Sequence, residues 1–563
     1  MLLKVMRIGE AFQQRDPLAS FTQKPGTAKK WYALTISSHD KDYWNIEIGD
    51  AYLQNQYEKF LYINQTGNFL TSRSPSMVLT GKEKTKKDGT VAQDDTERLE
   101  KILKFLDATP LGPLFRSHQE DFVRRLLSFP PDERKGSLLS IRVDGQFPYD
   151  IPAVRDIFLQ GVGETDPNEE NKGTCFLCNR QGNPSLRLSD VVSFSTLDKM
   201  GFIPCLNEKN AWKSFTVCNT CFTHLKQGRQ VIDNQLRTRI AIAGLDVWIL
   251  PEADSSKLKG VIERIISRGI KDGIELKDYA QKEVRVNKIL AEEKVFYDFV
   301  FIRQSQKAEK ILLHVTEVSP TRLKQMADCI DNILRQRVFT SGYPPSIHTL
   351  YHIYGKPGKG KSKSYNHFLS LVNSLYTSGK TNSELFLMNL MEYVRDPFRG
   401  HNNEKDRIPR IHTAGMAYAY LQQLGVIPGG TSMNSTSEPL TDTILDTPWK
   451  KGVFYEGVLT GRLLDVQRLK TQTPPFLKKL KSLKMDKTDF IGLLPELVSK
   501  FQQYKAYDEE VAKVHALAAS SFEKATDWKA SINEMNFIFS LGLGVYQRYY
   551  RSQPVIKKEE KND

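Results

Sequence analysis

No apolar run in the 563 residues approaches the roughly 20 residues that a bilayer-spanning helix requires. The longest mainly apolar stretches, Ile240 to Leu250 and Phe537 to Val545, reach about half that length, so no membrane span is expected. Cysteine is scarce, six in all, which excludes a disulfide scaffold. Compositional bias is also lacking. Hydrophobic residues make up 40% and charged residues 26%, which excludes wholesale disorder, a collagen-like chain and a continuous coiled coil. The opening residues MLLKVMRIGEAFQQRD meet charge too early for a secretory core and show no small-residue cleavage site, so a cytoplasmic protein is expected. Acidic residues are in deficit: 66 Asp and Glu against 80 Lys and Arg leave a formal charge of +14, which points to a polyanionic partner.

What is present is an ordinary globular composition over a length that suits three or four domains. The pattern predicts a multidomain α+β protein: an N-terminal mixed α/β domain over 1–170, a four-cysteine segment over 171–226, a strand-then-helical middle region over 227–445, and a helical bundle over 446–563. In the first part, Trp31 to Ser37 and Lys59 to Asn64 read as strands, and the Gly-flanked lysine segment that follows reads as a loop. Arg98 to Leu106 and Asp121 to Leu127 carry helical periodicity, and Leu138 to Val143 reads as a strand. Farther on, IAIAGLDVWILPE is expected to be one buried strand stopped by Pro251, with Val295 to Ile302 and Ile311 to Val318 as a strand pair. Helices are expected at Arg322 to Val338, His367 to Tyr376, Glu384 to Val394 and Thr413 to Leu424. The Gly and Ser-rich stretch Pro428 to Asp442 reads as a linker. Four amphipathic patterns follow it, with Pro495 set to start or kink the second helix and Ser531 and Glu534 in capping-box spacing at the last.

The cysteines are clustered: Cys175 and Cys178 form one C-x-x-C, and Cys218 and Cys221 another. Each pair can place two thiolates on a tight turn, and two turns brought together complete a tetrahedral sulfur shell suited to zinc. A shell of four protein ligands leaves no open position, so the zinc would be structural. The 39 intervening residues are too many for a compact ribbon and must carry structure of their own. Four free cysteines are the blander reading, and Cys205 or His224 are competing ligands.

At this cluster the residues resemble a known family. GTCFLCNRQG, then FSTLDKMGFIP, then AWKSFTVCNTCFTHLKQGR, then IAGLDVWILPE is similar to the large subunit of type I-B Cascade, the CRISPR RNA-guided surveillance complex. The C-terminal NEMNFIFSLGLGVYQRY also resembles that family, while the first 150 residues are only compatible with it. The resemblance implies a non-enzymatic subunit that joins guide RNA, backbone subunits and the subunit holding the 5′ handle. It implies reading of the protospacer-adjacent motif on double-stranded target DNA, stabilisation of the displaced strand in an R-loop, and docking of a helicase-nuclease. It further implies a C-terminal bundle like the complex's small subunit, for which Met433 is a candidate internal start.

Phosphate backbones bind where lysines and arginines are displayed together. Three segments qualify: Lys82, Lys84, Lys86 and Lys87; Lys356, Lys359, Lys361 and Lys363; and a bundle connection with Lys478, Lys479, Lys481 and Lys484. A solvated face is the plainer reading of each.

Enzyme readings carry less. Gly355 to Ser362 satisfies G-x-x-x-x-G-K-[ST], but IHTLYHIY before it is no buried strand, and KSKSYNH after it is expected to delay any helix. His348 and His352 lack the glutamate of a zinc-protease pair, and Pro131 to Lys135 reads as a proline-rich turn. His401, Glu404, Asp406 and His412 read as solvated surface. The alternative outside CRISPR is a zinc-ribbon RNA-binding or RNA-processing protein; a P-loop NTPase is a more distant one.

Overall fold

The computed structural model describes residues 1–12, 22, 25, 30–50, 57–63, 72–85, 91–163, 173–182, 188, 191–192, 216–240, 245–269, 279–305, 308–354, 362–399, 405–429, 444–471 and 474–550. These form an α+β protein whose sheets and cysteine cluster precede a helical C-terminal region. The chain divides into two compact units, residues 1–236 with 254–260 and 304–310, and residues 237–253 with 261–303 and 311–563. Among the described residues no helix is long and apolar enough to cross a membrane.

The first unit is built on β1 (Lys30–Ile36), β2 (Trp44–Asp50), β3 (Met77–Val78) and β6 (Leu138–Val143), in the order β2-β1-β6-β3. β1 runs antiparallel to β2 and parallel to β6. With neighbours on both sides it is buried continuously from Tyr32 to Ile36. One sheet face packs Tyr32, Leu34, Leu139 and Ile141 onto Leu99, Leu103, Phe115 and Phe122 of the helices Asp94–Leu106, Gly112–Ser117 and Gln119–Leu127.

Of the expected strand Lys59 to Asn64, the described residues Lys59 to Ile63 form no strand. Tyr57–Phe60 is a 3-10 turn and Leu61 takes a left-handed φ of +46°, reversing the chain. No ladder is needed because buried serines satisfy the carbonyls: Ser76 Oγ donates to Phe60 at 2.5 Å and Ser74 Oγ to Leu61 at 2.7 Å. The lysine loop is likewise more ordered than expected, since β4 (Glu83–Thr85) and β5 (Val91–Gln93) pair as an antiparallel hairpin. Its base is anchored by Asp95, which accepts from the Thr80 and Gly81 amides at 2.8 and 3.2 Å and ion-pairs with buried Arg134. The proline-rich turn forms a single helical turn, Pro131–Arg134, that delivers this arginine.

A helix that the sequence reading missed opens the chain, Leu2–Ala11, burying Val5, Met6 and Ile8. It crosses the helix Asn219–Val231 backbone against backbone. A Cβ on Gly9 would lie 1.8 Å from the His224 carbonyl oxygen, and one on Gly228 would lie 1.9 Å from that of Val5. Only glycine fits at these two positions.

The second unit is built on β9 (Arg237–Ile240), β10 (Leu245–Glu252), β11 (Phe296–Ser305) and β12 (Ala308–Val318), in the order β12-β11-β10-β9. IAIAGLDVWILPE is thus not one strand: its Ile240 ends β9 and its Leu245–Glu252 forms the antiparallel β10, with Leu245 opposite Ile240. Pro251 does not stop the second: it lies within β10 opposite Tyr297, beyond the last residue paired with β9, so its missing N–H breaks no ladder bond on that side. Helices follow at Pro320–Arg335, Ile347–Tyr354, Ser362–Thr377, Ser383–Arg395 and Arg407–Gln423. Ser319 caps the first of these and Asn382 the fourth through side-chain oxygens.

His412 corrects the surface reading. It is 4% exposed, with Nε2 donating to the Gly544 carbonyl at 2.9 Å and Nδ1 accepting from Ser341 Oγ at 2.7 Å. The helix carrying it begins at Arg407, six residues before the expected start, and so turns the histidine inward. His401 and Glu404 lie outside the described residues.

The C-terminal helices are Pro448–Arg468, Lys487–Gln503, Glu509–Glu523 and Ile532–Val545. Pro495 sits inside the second, where its ring leaves the Ile491 carbonyl without a helical donor. The capping box forms at Asp486 and Asp489. At the last helix Ser531 accepts from the Glu534 amide, while the Glu534 carboxylate turns to Lys450 at 3.3 Å. The first and last helices approach through glycines: a Cβ on Gly457 would lie 2.1 Å from the Phe539 carbonyl oxygen, and one on Gly542 would lie 1.9 Å from that of Phe454.

Candidate metal centre and basic surface

The first C-x-x-C is held by a two-stranded hairpin, β7 (Gly173–Thr174) with β8 (Gln181–Gly182). The Cys175 amide donates to Arg180 O and the Asn179 amide to Cys175 O, both at 2.9 Å, and Asn179 takes a left-handed φ of +57° to close the turn. The second pair straddles a helix start. Cys218 is the N-cap of Asn219–Val231 and Cys221 lies in its first turn, where unpaired amides and the helix dipole favour thiolate. The two turns are stitched together by the Phe176 amide donating to Thr216 O at 2.8 Å.

This framework brings the four sulfurs within 4.8 Å of one another. Cys178 and Cys218 sulfurs are 3.7 Å apart, close to the edge of about 3.8 Å expected for a tetrahedron of zinc–sulfur bonds of about 2.3 Å. Cys175 and Cys221 are buried and the other two half-buried, so the donor set is sheltered but not sealed. Burial opposes a thiolate at Cys175, yet backbone amides of Cys218, Cys178 and Leu177 converge on its sulfur and bring it down to about 7. Burial raises Cys218 and Cys221, and the sulfurs of Cys178 and Cys218 push Cys221 up further. Four such thiols resist carrying charge together unless a cation sits among them. The residues therefore fit a metal ion. Among the described residues no histidine or carboxylate joins the group, and Cys205 lies outside them.

The helix leaving the site is tied down by Arg229, which pairs with Asp233 at 2.6 Å and Glu309 at 2.5 Å. Its arginine is thus committed to protein carboxylates.

The basic segments fare differently. Lys82 is exposed at the base of the anchored hairpin and Lys84 lies on β4, while Lys86 and Lys87 lie outside the described residues. Lys356, Lys359 and Lys361 also lie outside them, and Lys363 falls in the helix Ser362–Thr377. That helix starts at once and corrects the expected delay. The element before the segment is the helix Ile347–Tyr354, whereas a phosphate loop requires a strand there. Within this helix, burial and the neighbouring His352 push His348 down to about 4.

Lys478, Lys479, Lys481 and Lys484 are all exposed on the connection between the first two bundle helices. Its backbone is unusual: Lys481, Ser482 and Leu483 are consecutive left-handed residues, with φ of +45°, +53° and +61°. Each costs about 1 kcal/mol or more for a non-glycine residue. The surroundings impose the shape. Leu480, Leu483 and Met485 are buried, Arg395 Nε donates to Leu483 O at 2.9 Å, and Asn536 clasps both backbone groups of Met485 at 3.1 and 2.7 Å. Lys479 pairs with Glu496 at 3.0 Å and Lys481 with Asp489 at 2.6 Å, so part of the charge is met internally.

Sequence reasoning missed the Asp95–Arg134 pair, the Asn536 clasp and the half-buried Glu283 held by the Ile347 amide, because all three depend on partners far away in sequence.

Comparison with known families matches residues 172–318 to the central domain of CRISPR-associated protein TM1802 and residues 345–560 to the C-terminal domain of the same protein. No curated protein matches the chain.

Proposed function

Because the chain belongs to the CRISPR-associated TM1802 family, whose central and C-terminal domains it matches in order, we propose that it is the large subunit of a type I-B Cascade. In this reading it is not an enzyme. It joins guide RNA, the backbone subunits and the 5′-handle subunit, recognises the protospacer-adjacent motif on duplex DNA, stabilises the displaced strand and recruits the helicase-nuclease. Zinc at Cys175, Cys178, Cys218 and Cys221 is its structural cofactor, fixing the helix Asn219–Val231 relative to the hairpin.

The observation that carries the reading is the connection bearing Lys478, Lys479, Lys481 and Lys484. A backbone strained at three successive residues and gripped from below by Arg395 and Asn536 is a costly way to solvate four lysines. It is an effective way to present positive charge to phosphates, because a backbone already held in place loses less freedom on binding.

Copurification tests the assignment. A stable particle containing guide RNA and repeated backbone subunits is expected, with binding to a target duplex that depends on a short flanking motif. A monomer that binds RNA generically would overturn it and leave the zinc-ribbon RNA-binding alternative. Intact-mass measurement of the particle is expected to reveal a fragment beginning near Met433, and its absence would remove the internal start.

A further inference from the structure

The second unit carries a half-open cavity of about 80 Å³ against one face of its sheet. Thr238, Val247 and Phe301 face each other across β9, β10 and β11, as do Ile249 and Phe299, and alternation along each strand puts all five on the same side. Tyr376 stacks on Phe299 with ring centroids 4.7 Å apart and planes 22° apart, adding a flat aromatic surface.

The wall opposite is the helix Tyr279–Glu292, whose Glu283 and Asn287 both line the cavity one turn apart. Each holds a buried polar atom with no hydrogen-bond partner: Glu283 Oε1 and Asn287 Nδ2. The other Glu283 oxygen accepts from the Ile347 amide at 2.8 Å, which fixes the carboxyl group. Leaving such atoms unpaired away from water is unfavourable. A ligand that supplies a donor to the first and an acceptor to the second removes both penalties.

Size narrows the ligand. A water needs about 10–15 Å³, so the cavity is several waters large, yet it falls well short of the roughly 300 Å³ at which drug-sized pockets begin. A single ring suits it and a fused bicycle does not.

We propose that this cavity binds one pyrimidine ring carrying an N–H beside a carbonyl, the edge of uracil or thymine. Glu283 Oε1 accepts the ring N–H, Asn287 Nδ2 donates to the adjacent carbonyl, and the ring lies against the aromatic surface of Phe299 and Tyr376. Neither phosphate nor sugar is part of the recognition, so a free nucleoside and an unstacked base of a strand offer the same chemistry. The inference rests on the cavity alone and stands whether or not the chain serves in Cascade.

Titration of the full chain with uridine, thymidine and N3-methyluridine, followed by saturation-transfer NMR, tests it. Saturable binding of uridine or thymidine is expected, with at least a tenfold loss for N3-methyluridine, which has no N–H to give. Glu283→Leu and the cavity-filling Val286→Trp are each expected to lose at least tenfold as well. The methylated probe keeps the test intact if either variant folds poorly. A short thymidine oligonucleotide compared with its abasic counterpart separates the sources: a preference for the base-bearing strand without nucleoside binding assigns the site to extruded bases, and nucleoside binding assigns it to free ligand. Equal binding of N3-methyluridine and uridine, or no base-dependent binding in any arm, would overturn the proposal and leave a water-filled cavity.

Discussion

Replacing Gly542 with alanine should damage the C-terminal bundle, whereas the same change at Gly492 should strengthen it. At Gly542 the new Cβ would sit 1.9 Å from the Phe454 carbonyl oxygen and 3.0 Å from the Val458 nitrogen. Both atoms are backbone, so no rotamer change relieves the clash, and the first and last bundle helices must part by about 1 Å. A gap of that size forfeits a quarter to a half of the attraction across the seam. Phe454, Val458, Phe539 and Leu543 are all buried there, and such side chains contribute about 1.5–3 kcal/mol each. The loss should therefore be about 2–4 kcal/mol. At Gly492, on an exposed turn of the helix Lys487–Gln503, nothing lies within 4 Å of the added methyl. Alanine there should stabilise by about 0.5–1 kcal/mol, because glycine gives up more backbone freedom in a helix. Urea unfolding followed by near-UV circular dichroism, to which the stacked Trp449 and Trp528 contribute, reads both changes. The helix that moves also carries Asn536, so Gly542→Ala should loosen the lysine-bearing connection as well. A Gly542→Ala protein within 0.5 kcal/mol of the parent, or a Gly492→Ala protein that loses as much as it, would refute the reasoning.

Elemental analysis should find one zinc per folded chain. Chelation, or Cys175→Ser with Cys218→Ser, should release it and melt the start of the helix Asn219–Val231, and a chain that folds equally well without metal would contradict this. Arg134→Met leaves Asp95 buried without its partner and should cost about 3–5 kcal/mol in thermal or urea unfolding, part of which Asp95→Asn in the same chain should restore. Lys478→Glu with Lys484→Glu should weaken DNA binding and flatten its dependence on the logarithm of salt concentration by about 2, and an unchanged slope would take this surface out of the interface. Burial raises the Glu456 carboxyl well above its ordinary value, so folding disfavours its ionised form. The penalty is absent at pH 4 and grows as pH rises through neutrality; Glu456→Gln should thus leave stability unchanged at pH 4 and raise it at pH 8, as parallel urea titrations would record.

The bundle was legible because its helices bury stripes at helical spacing: Phe490, Leu497 and Phe501 need no knowledge of what they face. The strand Leu138–Val143 was legible for the same reason, a short apolar run between turn residues. The paired cysteine spacing likewise foretold a cluster, and the structure adds the hairpin and helix start that close it. Reading failed where a distant partner decides the outcome. Lys59 to Asn64 has the composition of a strand, but Ser74 and Ser76 take its carbonyls. His412 sits in a polar stretch, yet Gly544 lies 132 residues away to accept from it. The left-handed run at Lys481 to Leu483 contains no glycine to announce it and exists because Arg395 and Asn536 hold it.

The crossing of Gly9 on Gly228 also imposes an order of events during synthesis. The helix Leu2–Ala11 is translated before its partner, with Gly228 following Gly9 by 219 residues. At 5–20 residues per second the wait is roughly 11 to 44 s. Throughout that interval Val5, Met6 and Ile8 lack their native partner helix, and a helix this short is marginal by itself in water. Those apolar residues therefore gain their native cover only after the cysteine segment and the helix that leaves it have been translated.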